Sequence, residues 1–319
     1  MEFGIMLYFR KLGIEIEKPI FVIGMPRSGT TILSEAMSVH EDVGWFSNYM
    51  NELPYIPELS ILARIISMPG IGWYLRGKKR QSKGFGSFIR SYLPYSVEAY
   101  PVWTRYCGDK FLWDYMINQV ANDTEKRRIR TVIKKVIALQ GKQRFFAKLT
   151  GPPRICYLNS IFPDAYFVHV LRDPRATVSS LLKVSFWEKG AGMQRPWWRN
   201  GLCQGYVEEW INSGRSPVAL AAVQWKQVVE LAWQESKIVD SSRYIELRYE
   251  DFVRTPRGAL QEIFNKVELP HSQSVQRYIN SIGKVQNMNF KYRQNLTRSD
   301  ILLIEKITLN TARKAGYIF

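Results

Sequence analysis

The chain has 319 residues, 46% of them hydrophobic and 23% charged, which suffices for a large α/β domain and excludes wholesale disorder. Lysine and arginine number 45 against 28 acidic residues, and the resulting formal charge of +17 points to an anionic partner such as nucleic acid, a membrane surface or a phosphorylated small molecule. The basic residues are scattered rather than gathered in one tail, which argues against nucleic acid. The widely spaced Cys107, Cys156 and Cys203 exclude a disulfide framework and favour a reducing compartment, read as the cytoplasm, and the isolated His40, His169 and His271 show no metal-binding pattern.

The N-terminal stretch carries charges at Glu2, Arg10 and Lys11 and no signal-peptide pattern. No run of about 18 uncharged apolar residues occurs, so no membrane-spanning helix is expected. Pro19–Gly24 is apolar and β-branched and reads as a buried strand, followed by a Gly/Ser/Thr turn and a helix over about Thr30–Val39. Residues from about 50 to 140 read as a mostly helical insertion rich in Trp and Tyr. Within it, 65–75 (IISMPGIGWYL) precedes Arg76, Lys78, Lys79 and Arg80, which fits either a buried helical hairpin with a solvated loop or a peripheral membrane contact. Residues 124–139 form a basic amphipathic helix with Thr124 as its expected N-cap.

A strand follows at about 144–149, a short helix near 154–160 and a strand at 166–171, then a helix whose first turn holds Pro174. Residues 186–215 read as an aromatic loop. A long helix over 217–236, a strand at Tyr244–Arg248, a helix at 256–266 and a last helix at 297–315, capped by Thr297 with Asp300 in capping-box position, complete the chain. Strands alternating with helices imply an α/β fold: one P-loop-like domain spanning 1–319, with a central parallel sheet flanked by helices.

The sharpest local signal is Gly24-Met-Pro-Arg-Ser-Gly-Thr-Thr31, between a buried strand and a helix. Glycines permit a tight turn, and backbone N–H groups at the helix N-terminus form an anion nest. Arg27 adds a charge, and Ser28, Thr30 and Thr31 add hydroxyls around Gly29. The spacing matches a P-loop, but Thr30 stands where that motif has lysine. This segment resembles the 5′-phosphosulfate loop of the sulfotransferases that use 3′-phosphoadenosine 5′-phosphosulfate (PAPS). Three further segments resemble the family in its order, so that the likeness covers about 19–52 and 144–316. FPDAYFVHVLRDPRATVSSLLK (162–183) is similar to the 3′-phosphate site, with Arg172 and Ser180 in the places of the phosphate-holding pair. YIELRYEDFVRTP (244–256) supplies Tyr249 as an adenine-side contact. NMNFKYRQNLT (287–297) resembles the cofactor-closing loop and offers Lys291, Tyr292 and Arg293. Each residue also has a plainer reading: a surface ion pair for Arg172, a core position for Tyr249, a solvated basic loop for Lys291 and Arg293.

The resemblance implies sulfuryl transfer to a hydroxyl, which proceeds through a loose, in-line transition state served by positioning and charge rather than by a metal. Arg27 and Lys148, the lysine of FAKLTGPP, are the candidate cations. The cytosolic branch of the family has a catalytic histidine where this chain has Thr150, and threonine is no general base near neutral pH. Other branches use a glutamate after the phosphate loop. Glu52 stands first for that role, Glu98 second, and neither is a third possibility. His40 reads as a structural cap. The acceptor is a small molecule, sugar or lipid, recognised by the insertion and the 186–200 loop. Two rivals remain: a P-loop kinase or NTPase, which needs a lysine at Thr30 and a magnesium site for which Asp173 is the strand-end carboxylate, and a basic anion- or membrane-binding module.

Overall fold

The computed structural model describes residues 15–67, 92–188, 202–282 and 286–319. Five strands, β1 (Ile20–Gly24), β2 (Val43–Trp45), β3 (Arg144–Thr150), β4 (Tyr166–Leu171) and β5 (Tyr244–Arg248), form one sheet in the order β2-β3-β1-β4-β5. Every pairing is parallel. β1 lies at the centre, and Ile20 to Ile23 have no exposure at all, which is why its sequence is continuously apolar rather than alternating.

Helices cover both faces. α1 (Thr30–Ser38) leads to β2. After β2 come α2 (Asn48–Glu52), a 3₁₀ helix (Pro57–Ser67), α3 (Tyr100–Cys107), α4 (Lys110–Trp113) and α5 (Asp123–Gln140). α6 (Ile155–Ile161) joins β3 to β4, and α7 (Pro174–Leu181), α8 (Ser185–Glu188), α9 (Gln204–Asn212) and α10 (Pro217–Glu235) join β4 to β5. The chain ends with α11 (Tyr249–Arg254), α12 (Pro256–Lys266), α13 (Gln273–Ile282), α14 (Tyr292–Asn295) and α15 (Arg298–Lys314). α7, α10 and α12 each begin with proline, whose missing N–H costs nothing in a first turn. No described helix is long and apolar enough to cross a membrane.

Three expectations change. α5 is capped by Asn122, not Thr124: Asn122 Oδ1 accepts from the Glu125 N–H at 2.9 Å while Glu125 Oε2 accepts from the Asn122 N–H at 3.1 Å, closing a capping box. The stretch 186–215 is not all loop, since it contains α9; residues 189–201, with Trp197 and Trp198, lie outside the described residues. β2 and α13 carry no sequence signal strong enough to be expected. Residues 68–91, which hold Trp73, Tyr74 and most of the 65–80 stretch, also lie outside the described residues.

The aromatic insertion builds core. Trp103 and Phe111 are fully buried and stack with centroids 4.8 Å apart, and Trp103 also meets Phe21 of β1 at 6.2 Å. His40 is a structural group, as expected: its Nδ1 accepts from the Asp42 N–H at 3.1 Å and Nε2 sits 3.0 Å from the Pro270 carbonyl. Parallel strands put Gly24, Thr150, Arg172 and Tyr249 at one edge of the sheet, its carboxyl end, where ligands of open α/β sheets bind.

Candidate active site

The phosphate loop leaves β1 through Gly24 at φ +147°, where a Cβ would stand 2.5 Å from the Val170 carbonyl oxygen of β4. Arg27 holds a left-handed φ of 73°, a strained conformation for a residue with a Cβ, costing on the order of 1–3 kcal/mol. Gly29, at φ +97°, is the N-cap of α1 and brings no side-chain cap, so the orphan N–H groups of that helix face the loop. A Cβ on Gly29 would lie 2.3 Å from Tyr249 Cδ2, which is the physical reason for glycine there. The Ser28 hydroxyl is buried and makes no hydrogen bond to protein. An anion seated in the loop would give it a partner, so the loop fits such a group. Thr30 is buried and Thr31 exposed.

The expected 3′-phosphate pair sits directly on this loop. Arg27 Nε donates to Ser180 Oγ at 2.9 Å, and Arg172 Nη1 donates to the Arg27 carbonyl at 2.8 Å, clamping the strained residue. Arg172 sits over the Tyr249 ring, its guanidinium carbon 4.4 Å from the centroid, and burial lowers its ordinarily high pKa. Its Nε donates to Asn289 Oδ1 at 2.9 Å, and Asn289 in turn bonds Glu250. Asn289 was missed by sequence reasoning, which stopped at its charged neighbours; its position inside the NMNFKYR segment was the available signal. Lys291 and Arg293 are exposed, and Tyr292 is buried beneath Arg175 at 5.1 Å. Asp173 is committed elsewhere. It caps α7 through the Arg175 N–H at 2.8 Å and pairs with Arg175 Nη2 at 2.7 Å, which removes it as a free magnesium ligand.

On the other flank, β1 and β3 pair Val22 with Lys148 and Gly24 with Thr150, which sets Lys148 beside the loop. Lys148 Nζ lies 2.9 Å from Glu98 Oε1, both side chains being largely buried. Glu98 Oε2 accepts from the Thr150 hydroxyl at 2.7 Å and from its N–H at 3.3 Å. A bridge between Ser47 and Ser96, with the Val97 N–H donating to the Phe46 carbonyl at 3.1 Å, carries Glu98 to this place. The Tyr100 hydroxyl donates to the Thr150 carbonyl at 2.5 Å, and burial followed by the Glu98 charge pushes its pKa up, so it remains a donor. Glu52 ends α2 exposed to solvent, with Asn51 Nδ2 donating to it at 3.2 Å. The structure thus gathers Arg27, Ser180, Arg172 and Tyr249 on one side, and Lys148, Thr150 and Glu98 on the other.

Comparison with known proteins bears on the family and the fold. A family model described as the sulfotransferase family matches residues 19–67 and 128–273. The chain is 23% identical over 280 residues to the omega-hydroxy-beta-dihydromenaquinone-9 sulfotransferase of Mycobacterium tuberculosis, covering 79% of this chain and 63% of that protein. It is 21% identical over 267 residues to protein-tyrosine sulfotransferase 2 of Gallus gallus, covering 83% of this chain and 55% of that one. The chain therefore spans less than two thirds of the length of these curated relatives. Among solved structures, sulfotransferase STF9 from Mycobacterium avium superposes with a TM-score of 0.56 at 17% identity, over 97% of this chain and 81% of that chain, which shows a shared fold. With more than half its residues under the family model, the chain belongs to the sulfotransferase family.

Proposed function

We propose that the chain transfers a sulfuryl group from PAPS to a hydroxyl of a small-molecule, sugar or lipid acceptor, leaving a sulfate ester and 3′-phosphoadenosine 5′-phosphate (PAP). The observation that carries this reading is the junction of Arg27 with Ser180 and of Arg172 with the Arg27 carbonyl under Tyr249. A loop suited to a 5′ anion and an arginine–serine pair suited to a 3′-phosphate meet at one edge of the sheet. PAPS supplies an activated sulfuryl group whose leaving oxygen belongs to a phosphate. Ser28, Gly29, Thr30 and Thr31 hold the 5′ end by N–H and hydroxyl donors. Arg172 and Ser180 hold the 3′-phosphate, with exposed Lys291, at the end of a 3₁₀ turn, and exposed Arg293 of α14 contributing charge and Tyr292 supporting them. Tyr249 flanks the base.

Lys148 and Arg27 offset charge developing on the leaving oxygen. Glu98 accepts the acceptor's hydroxyl proton, oriented by the two Thr150 donors. The contact of Glu98 with Lys148, set against the solvent exposure of Glu52, supports Glu98 in this role. The relatives are named for a hydroxylated menaquinone and for protein tyrosine, both hydroxyl acceptors. Three free cysteines support a reducing, cytoplasmic setting for the reaction.

Calorimetry of PAP beside AMP and Mg-ATP tests the reading. Binding of PAP that requires the 3′-phosphate and no metal supports it. Preference for Mg-ATP, or no nucleotide binding, overturns it in favour of a kinase or a general anion-binding module.

A further inference from the structure

Behind the Glu98–Lys148 pair lies a charge that the mechanism above does not use. β3 leaves the sheet through Gly151, at φ +96°, and two prolines, and the chain then reaches Arg154 in a left-handed conformation at φ 52°. Arg154 has no exposed surface. Its Nη1 donates to the Pro152 carbonyl at 2.8 Å, while Nε and Nη2 are buried without a hydrogen-bond partner. No carboxylate of the described residues forms an ion pair with it. Two rings hold the guanidinium instead, Phe111 with its centroid at 4.9 Å and Tyr100 at 5.8 Å. Burial lowers its pKa, and the negative charge of Glu98 acts against that shift.

A buried arginine of this kind is a poor way to fill space. An apolar side chain of similar volume would avoid both the desolvation of the charge and the orphaned N–H groups. What the arginine does have is a continuous path to the reacting groups. Arg154 faces the Tyr100 ring, and the Tyr100 hydroxyl donates to the Thr150 carbonyl at 2.5 Å. Thr150 donates twice to Glu98, and Glu98 pairs with Lys148 at 2.9 Å.

We propose that Arg154 is a positioning residue for the Glu98–Lys148 pair, its buried charge fixing Tyr100 and, through Tyr100 and Thr150, the placement of the proton-accepting carboxylate. The proposal rests on the sulfuryl-transfer reading above for its kinetic arm and on geometry alone for its structural arm. Arg154→Met keeps the volume and removes the charge. Arg154→Lys restores the charge. Tyr100→Phe removes only the hydroxyl that links the two halves of the path.

Turnover is read as PAP released from saturating PAPS with water as acceptor, and again with 2-naphthol as an added probe acceptor. In the water reaction the water oxygen bonds to sulfur, the bond from sulfur to the phosphate oxygen breaks with its electron pair going to that oxygen, and sulfate and PAP are released with water's two protons, one taken up by the phosphate oxygen and one lost to solvent. Arg154→Met is expected to keep or raise the melting temperature and hold the PAP Kd within about twofold, while kcat falls by about tenfold or more. Arg154→Lys is expected to recover kcat to within about threefold of wild type, and Tyr100→Phe to lower kcat with the KM for PAPS unchanged. A purely structural role would instead lower melting temperature and activity together, without rescue by lysine. Wild-type turnover in Arg154→Met overturns the proposal. So does a crystal structure of that variant in which Tyr100, Thr150, Glu98 and Lys148 keep their bonds, an outcome that can be read even if PAP does not bind and the sulfuryl-transfer reading fails.

Discussion

Lys148 pairs in register with Val22 at the strand that leads into the phosphate loop, and its charge is shared with Glu98 rather than with solvent. A group that acts on charge developing in the transition state affects turnover far more than ground-state binding. Lys148→Ala is therefore expected to cut kcat by about 100-fold or more while PAP affinity, measured by calorimetry, stays within about threefold. Near-normal turnover would remove Lys148 from the chemistry. The base divides two otherwise similar glutamates. Glu98→Gln keeps the Thr150 bonds but cannot accept a proton, and turnover at neutral pH is expected to fall by about 100- to 10,000-fold. Glu52→Gln, at an exposed helix end, is expected to leave turnover within about twofold. The reverse pattern in paired kinetic assays would move the proton acceptor to Glu52.

The same contrast between local and distant information runs through the elements. β1 is a continuous apolar run because it is buried on both faces, β4 is interrupted only by His169, and β3 and β5 carry Lys148 and Glu246 among their apolar residues; all four stand within a residue or two of the expected bounds. α15 shows its capping box in Thr297 and Asp300. α5 shows an equally plain one, but Thr124 drew attention from Asn122. The deciding feature is the residue three places on, Glu125 after Asn122 against Arg127 after Thr124. Asn122→Ala is accordingly expected to cost about 1 kcal/mol of stability in urea unfolding, and Thr124→Ala a few tenths at most. Equal losses would show that the cap is not where the hydrogen bonds place it. β2 has three residues, too short for a period to emerge, and α9 follows an aromatic, Gly-bearing segment that reads as loop, its Tyr206, Val207 and Trp210 packing only partly buried against the core. In the site, the loop residues and Arg172 are legible because they follow strands in sequence. Glu98 is named from the sequence only as a second candidate, because the bridge between Ser47 and Ser96 that sets it beside Lys148 joins segments with no pattern in common. Arg172's bond to Asn289 spans 117 positions and is equally invisible in one dimension.

Across the whole molecule, the sheet that carries the site also holds a histidine with a consequence for stability. His169 sits in the middle of β4 with no exposure, its Nδ1 2.7 Å from the Tyr244 hydroxyl and its Nε2 without a partner. Burial lowers its pKa from 6.5 to about 3. The folded state thus keeps this ring neutral where the unfolded chain protonates it. Stability from this group is complete above pH 6.5 and declines as pH falls from there toward 3, with a limiting slope of about 1.4 kcal/mol per pH unit. Glu235 works against the trend, since burial raises its pKa and its ionised form is the costly one. The formal charge of +17 at pH 7 grows as carboxylates protonate, adding self-repulsion in the same direction as His169. A His169→Gln variant separates these effects, because glutamine is neutral at every pH and still offers Tyr244 a hydrogen-bonding group. Unfolding free energies measured in urea between pH 5 and 7.5 are expected to fall toward acid in the wild type and to fall less steeply in the variant, whose Glu235 and net-charge effects are unchanged. Parallel pH profiles for the two proteins would mean that His169 is protonated in the folded sheet, and that its cavity admits the water which that charge requires.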